Sequence, residues 1–264
     1  MAVFQVDFYS ECLQKDAAMN VILPNPGDLG KRKLKVLTLL HGKEARYTKW
    51  MNRVPMELYA RELRLAVIMP DGEDSFYSDL YYGNQYGRFM TEELLPEARR
   101  LFPCLSGERK DNFIAGSSMG GYGAVKTALA RPDLFSAVAS LSGGLQVDDI
   151  FRKRHQKTGE YVFHGADAIQ GTDSDLFWKA EQLQKTGTEL PRQYICCGRQ
   201  DFVYEYSAAW KNHMERLGIP ITYEEWDGVH DWIFWDRAIL KVLKWLAPGE
   251  NSKNSVIERK LQQK

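Results

Sequence analysis

The feature that most narrows what this chain can fold into is a change of period across residues 112–130. Asn112–Ala115 is a short strand-like run that enters Gly116-Ser117-Ser118-Met119-Gly120. From Gly120 to Ala130 the residues turn small and apolar, which suits a helix packed closely on a sheet. Strand, Gly-Ser-Gly turn and small-residue helix together form the context in which G-x-S-x-G carries chemistry. The central serine, Ser118, then rides on a sharp turn with its hydroxyl projecting from the sheet. Glycines on either side relieve crowding there. The following helix aims its first N–H groups at charge that develops on a substrate oxygen. Ser117 is the rival hydroxyl in the motif, but it is not at the central position.

The rest of the chain repeats this alternation. Val3–Tyr9 and Ala18–Leu23 alternate as a pair of strands, and Pro24-Asn25-Pro26-Gly27-Asp28 ends the second. Leu34–Leu40 and Arg64–Met69 are apolar runs of the kind that buried parallel strands require. Met90–Phe102 has helical spacing and stops at Pro103. Ala137–Leu141, Gln193–Cys197 and Ile221–Trp226 read as strands, and Tyr206–Leu217 and Trp232–Leu246 as helices. The expected fold class is α/β: a mostly parallel, doubly wound sheet with an antiparallel N-terminal edge, in one domain of 264 residues. Residues 145–190 break the rhythm. They are polar, carry one helical stretch around Asp175–Gln184, and are expected to form an insertion over the C-terminal edge of the sheet. A small lid and a plain surface excursion both fit that stretch.

A serine nucleophile needs a base, and the base needs an orienting acid. His230 lies between the last strand and the last helix, with Gly228 loosening the turn. Of the other histidines, His41 is expected to shape its own loop, and His213 to sit on a polar helix face. His155 and His164 fall in the insertion, as solvated or substrate-facing groups. Asp201 follows the strand Gln193–Cys197, and Ser118, Asp201, His230 is the chain order this fold imposes. Glu205, Asp227 and Asp231 compete for the acid's place, and Asp201 can also serve as a helix cap.

A tetrahedral intermediate needs two convergent N–H donors. Met119, directly after the nucleophile, supplies one. Lys43, after His41-Gly42, supplies the other, with Gly42 letting the backbone approach. Gly42, Tyr77 and Trp232 are expected to line the substrate site, and Ser142 to be a loop residue beside it. Asp79 is either a support for the nucleophile or a surface turn.

Composition excludes several classes. Thirty-five basic and thirty-five acidic residues give no net charge and no concentrated basic face, so nucleic acid is not an expected partner. The same balance argues against membrane-surface binding, and no apolar run has membrane-spanning length. The first residues lack a signal-peptide pattern, so a cytoplasmic location is expected. The four cysteines lack metal-site spacing and read as small apolar residues. No metal or other cofactor is expected. The expected partner is a small-molecule ester.

Leu39-Leu40-His41-Gly42, Ser75-Phe76-Tyr77-Ser78-Asp79, Gly116-Ser117-Ser118-Met119-Gly120-Gly121-Tyr122, Cys197-Gly198-Arg199-Gln200-Asp201 and His230-Asp231-Trp232 resemble the esterase D family. Within it the chain is most similar to the bacterial tributyrin esterases. The likeness runs over nearly the whole chain and is weakest in the insertion. It implies a serine carboxylesterase for short acyl esters, with Ser118, Asp201 and His230 as triad and Lys43 and Met119 as oxyanion donors. It also implies that a homo-oligomer is to be expected. The same family includes S-formylglutathione hydrolases and acyl transferases, which remain alternatives, as does a non-catalytic binding protein. One departure stands out. Lys43-Glu44-Ala45-Arg46-Tyr47 is charged and bulky where relatives carry small residues.

Overall fold

The structure, a computed structural model, describes residues 1–24, 33–247 and 255–262. The turn expected at 25–28 lies outside the described residues. Eight strands form one sheet: β1 Ala2–Ser10, β2 Lys15–Leu23, β3 Lys35–Leu40, β4 Leu65–Pro70, β5 Asn112–Ser117, β6 Ala137–Leu141, β7 Arg192–Gly198 and β8 Ile221–Trp226. Their order is β1-β2-β4-β3-β5-β6-β7-β8. β1 and β2 pair antiparallel, as do β2 and β4, while every pair from β4 to β8 is parallel. This is the expected sheet with its antiparallel edge.

The helices are α1 Lys49–Arg53, α2 Met56–Glu62, α3 Tyr86–Arg88, α4 Leu94–Leu101, α5 Met119–Ala130, α6 Val147–Lys153, α7 Gln156–Phe163, α8 Leu176–Lys185, α9 Tyr204–Arg216, α10 Trp232–Leu246 and α11 Val256–Gln262. The helical stretch expected at 90–102 begins earlier, at Tyr86, and widens into a π turn over Phe89–Glu93. Pro96 follows directly in α4, and its missing N–H explains why regular winding is interrupted before it.

Two apolar layers sandwich the sheet, because alternate residues of each buried strand face opposite ways. Val36 and Leu40 of β3 join Ile68, Ile114 and Val138 in one layer, beneath α4, α5, α8 and α9. Leu37 and Leu39 join Val67, Ala115 and Leu141 in the other, beneath α1, α2, α10 and α11. α5 comes closest of all. A Cβ on Gly116 would stand 2.3 Å from the Gly120 carbonyl oxygen, and one on Gly120 would stand 2.5 Å from that of Leu40. Only glycine lets the strand-to-helix turn fold back so tightly.

Residues 145–190 carry more structure than the one helix expected. α6, α7 and α8 all fall there, with a 3-10 turn at Ala166–Ile169. They anchor on the main body through buried Ile150, Phe151, Val162, Ile169 and Leu176. The Tyr81 N–H donates to the Val162 carbonyl at 3.0 Å, and the Tyr122 hydroxyl to that of Ser174 at 2.9 Å.

Candidate active site

Ser118 closes the turn between β5 and α5 with φ 55° and ψ −120°. That region is disfavoured for any residue with a side chain, and it projects the hydroxyl away from the sheet. The Ser118 N–H donates to the Leu141 carbonyl at 2.9 Å, which ties the turn to the end of β6.

Asp201 and His230 sit on the loops after β7 and β8, at the same edge as Ser118. These two loops are laced together. The Gln200 N–H donates to the Gly228 carbonyl at 3.1 Å, and the Gly228 N–H donates to the Gln200 side-chain oxygen at 2.8 Å. A Cβ on Gly198 would stand 2.2 Å from the Gly228 carbonyl oxygen, so the backbones touch. The lacing sets the spacing between acid and base.

The three side chains meet. The Ser118 hydroxyl lies 2.8 Å from His230 Nε2, and His230 Nδ1 lies 2.9 Å from each oxygen of Asp201. A neutral ring with its proton on Nδ1 donates to the carboxylate and accepts from the hydroxyl. The Asp201 side chain is fully buried, while His230 keeps 18% of its side-chain surface. Asp201 Oδ1 also accepts from the Val203 N–H at 3.0 Å, so it holds the turn into α9 as well as the imidazole. The rival acids are engaged elsewhere or exposed. Asp231 caps α10 by accepting from the Phe234 N–H, Asp227 bonds Arg199 and Gln200 near the surface, and Glu205 is exposed.

Met119 is the first residue of α5, so its N–H has no intrahelical acceptor. The loop carrying Gly42 and Lys43 packs directly on the nucleophile turn. A Cβ on Gly42 would lie 3.4 Å from Ser118 Cβ and from the Ser117 carbonyl oxygen.

Aromatic rings frame His230. Phe202 lies 4.5 Å from it, and the Trp235 ring meets it nearly at right angles at 5.0 Å. Trp232 packs edge-on to Trp50 and to Trp235, each at 5.0 Å, and remains partly exposed. The guanidinium of Arg154, from the end of α6, lies 4.8 Å from the Phe202 ring. His155 beside it has its pKa lowered by partial burial and then by the charge of Lys43. Phe202 and Arg154 escaped the sequence reading. The only available signal was that Phe202 directly follows Asp201.

Several expectations need correction. Tyr77 does not line the site. It is fully buried, and its hydroxyl donates to the His41 carbonyl at 2.9 Å. Ser142 is a loop residue just after β6, as expected, and it is fully buried. His213 is not on a polar face: it is 5% exposed, and its Nε2 lies 3.1 Å from the Phe177 carbonyl oxygen. Asp79 supports a helix start and not the nucleophile, accepting from the Arg88 N–H at 2.9 Å. His41 shapes its loop as expected, with both ring nitrogens bonded to backbone.

Sheet order, the serine turn and this cluster define a serine hydrolase of the α/β-hydrolase fold. Comparison with known proteins places it further. The Esterase family model matches residues 10–246, and the chain belongs to that family. It is 32% identical to an acetyl esterase of Caldicellulosiruptor saccharolyticus over 263 residues, covering 94% of this chain and 98% of that protein. Among solved structures, it is similar to fluorophosphonate-binding serine hydrolase F of Staphylococcus aureus (31% identity, TM-score 0.88, 95% of this chain and 99% of that one). It is also similar to an S-formylglutathione hydrolase of the same organism (30% identity, TM-score 0.83, 93% and 98%). The protein is a carboxylic ester hydrolase, and the esterase D resemblance read from the motifs holds. Among the described residues, no helix is long and apolar enough to cross a membrane.

Proposed function

We propose that this chain hydrolyses short-chain acyl esters by a Ser118–His230–Asp201 triad, through an acyl-enzyme. The observation that carries this is the unbroken relay from the Ser118 hydroxyl through His230 to Asp201, at 2.8 Å and 2.9 Å. His230 takes the hydroxyl proton as Ser118 attacks the ester carbonyl. Asp201 holds the tautomer and stabilises the imidazolium that forms. The Met119 and Lys43 N–H groups bind the oxyanion. The alcohol leaves with the proton from His230, and water then attacks the acyl-enzyme by the same route. Residues 145–190 act as a cap on a single catalytic domain, with Arg154 and Phe202 at the mouth and Gly42 and Trp232 beside the acyl group. The preference for short acyl groups draws on the similarity to an acetyl esterase and on the crowding of indole rings beside His230.

The test is a series of p-nitrophenyl esters of increasing acyl length, run on the wild type and on Ser118→Ala. Turnover falling with length in the wild type, and background turnover in the variant, is the expected result. Fastest cleavage of long-chain esters would refute the acyl preference, and an active variant would refute the site. The similarity to an S-formylglutathione hydrolase makes a thioester the second substrate to try. Added alcohol acceptors in the same assay measure any partition toward acyl transfer.

A further inference from the structure

His41 is fully buried at the end of β3, and both its ring nitrogens are bonded to backbone of the loops at the site. Nδ1 lies 2.8 Å from the Gly42 carbonyl oxygen, and Nε2 lies 2.9 Å from the Gly72 nitrogen. Gly72 N–H can only donate, so Nε2 accepts. Nδ1 must therefore carry the proton that the Gly42 carbonyl receives. A neutral ring in one tautomer satisfies both bonds. Asp71 Oδ1 stands farther from Nε2, at 3.4 Å, and Asp71 Oδ2 accepts from Arg46 Nε at 3.0 Å.

The Gly42 carbonyl and the Lys43 N–H belong to one planar peptide and point in opposite directions. Whatever fixes the first fixes the second. The peptides on either side are held too. The Tyr77 hydroxyl donates to the His41 carbonyl, and Asp74 Oδ1 accepts from the Glu44 N–H at 2.7 Å. Three consecutive peptide planes are thus gripped by side chains while the middle N–H is left for a ligand. From this geometry we infer that His41 is a positioning residue, whose neutral imidazole aims the Lys43 N–H at the oxyanion by holding the far end of its peptide. The inference rests on the oxyanion role proposed for Lys43. It explains why a buried imidazole sits beside the triad yet is bonded to none of its members.

The test compares His41→Ala, His41→Asn and His41→Gln, with Ser118→Ala alongside. An asparagine amide falls near the position of Nδ1, and a glutamine amide near that of Nε2. The expected result is a loss of about 10- to 100-fold in kcat/KM for the alanine and glutamine variants, smaller than or equal to the loss of an oxyanion donor outright. The loss should fall on kcat more than on KM, and asparagine should restore most of it. Affinity for a trifluoromethyl ketone, whose hemiketal places an oxyanion in the hole, should weaken in proportion to kcat/KM across the series. Melting temperatures separate misfolding from mispositioning, since a purely structural role would not let asparagine and glutamine differ in kcat at equal stability. Equal impairment of those two, or a folded alanine variant within about twofold of wild type, overturns the inference. If Ser118→Ala retains turnover, the proposed site itself is what fails. If Ser118→Ala is dead and the His41 series is unaffected, only the role of His41 fails.

Discussion

The Trp50 indole N–H donates to the Leu40 carbonyl at 2.9 Å, which ties α1 to the last residue of β3. Trp50 is fully buried and packs edge-on to Trp232, so this bond lies between the His41-Gly42-Lys43 loop and the ring cluster beside His230. Trp50→Phe keeps most of the apolar volume and strands the carbonyl. It should lower stability by about 1–3 kcal/mol in urea unfolding, with an unchanged m value. It should also lower kcat, since Leu40 leads directly into His41-Gly42-Lys43.

Asp201→Asn leaves the shape of the site nearly intact but offers the imidazole an amide in place of a carboxylate. The ring then loses the partner that keeps its proton on Nδ1. In a serine protease the equivalent change costs about 10⁴ in kcat, and a loss of about 10³–10⁴ is the outcome expected here. Steady-state kinetics measures it, and circular dichroism checks that the fold is kept. Asp201 Oδ1 also accepts from the Val203 N–H, so a modest fall in melting temperature should accompany the loss.

All four cysteines are free, and all four thiols have raised pKa values. Burial, then Glu93, pushes Cys12 up to about 11; burial, then the charge of Asp201, pushes Cys197 up to about 12. A thiol reacts as its thiolate, so little reactive form exists near neutrality. Incubation with iodoacetamide at pH 7.5 should leave activity intact and alkylate the folded protein slowly, as mass spectrometry would record. A fluorophosphonate should abolish activity with one label, on Ser118.

Glu93 gives a stability prediction with a defined sign. Burial opposes its ionisation, but bonds from the Ser10 hydroxyl and from the Glu11 and Cys12 N–H groups outweigh burial and hold its pKa below the usual value. A depressed folded-state pKa contributes stability above the unfolded value, about 4.3, that is lost as pH falls through the folded value. Glu93→Gln should therefore destabilise the protein at pH 7 by about 1–2 kcal/mol. The gap between variant and wild type should close below about pH 4. Urea titrations at several pH values test this, and a gap independent of pH would show that shape and not charge is what the variant disturbs.

The mostly parallel sheet with its antiparallel edge and the serine turn were legible because each is a local signal placed by a general rule. The apolar runs announce buried strands, and the order Ser, Asp, His follows from which strand ends share an edge. What escaped was decided by contacts between distant residues. Tyr77 reads as a pocket aromatic because it follows a strand, yet φ 52° turns it inward, against the His41 ring at 5.8 Å. His213 reads as polar on its own helix, but α8 brings Phe177 across it at 4.8 Å. α6 and α7 were missed because each is short and carries few apolar residues, their burial depending on Phe76 and on one another. Phe202 and Arg154 meet over the histidine only once the insertion has folded back.

The backbone at Ser118 sits at φ 55° with no ester needed to impose it. Alanine at this position would inherit the same discomfort, and only glycine would escape it. The molecule thus keeps a standing debt of stability at the residue proposed as its nucleophile. Selection for sturdiness alone would erase the hydroxyl first.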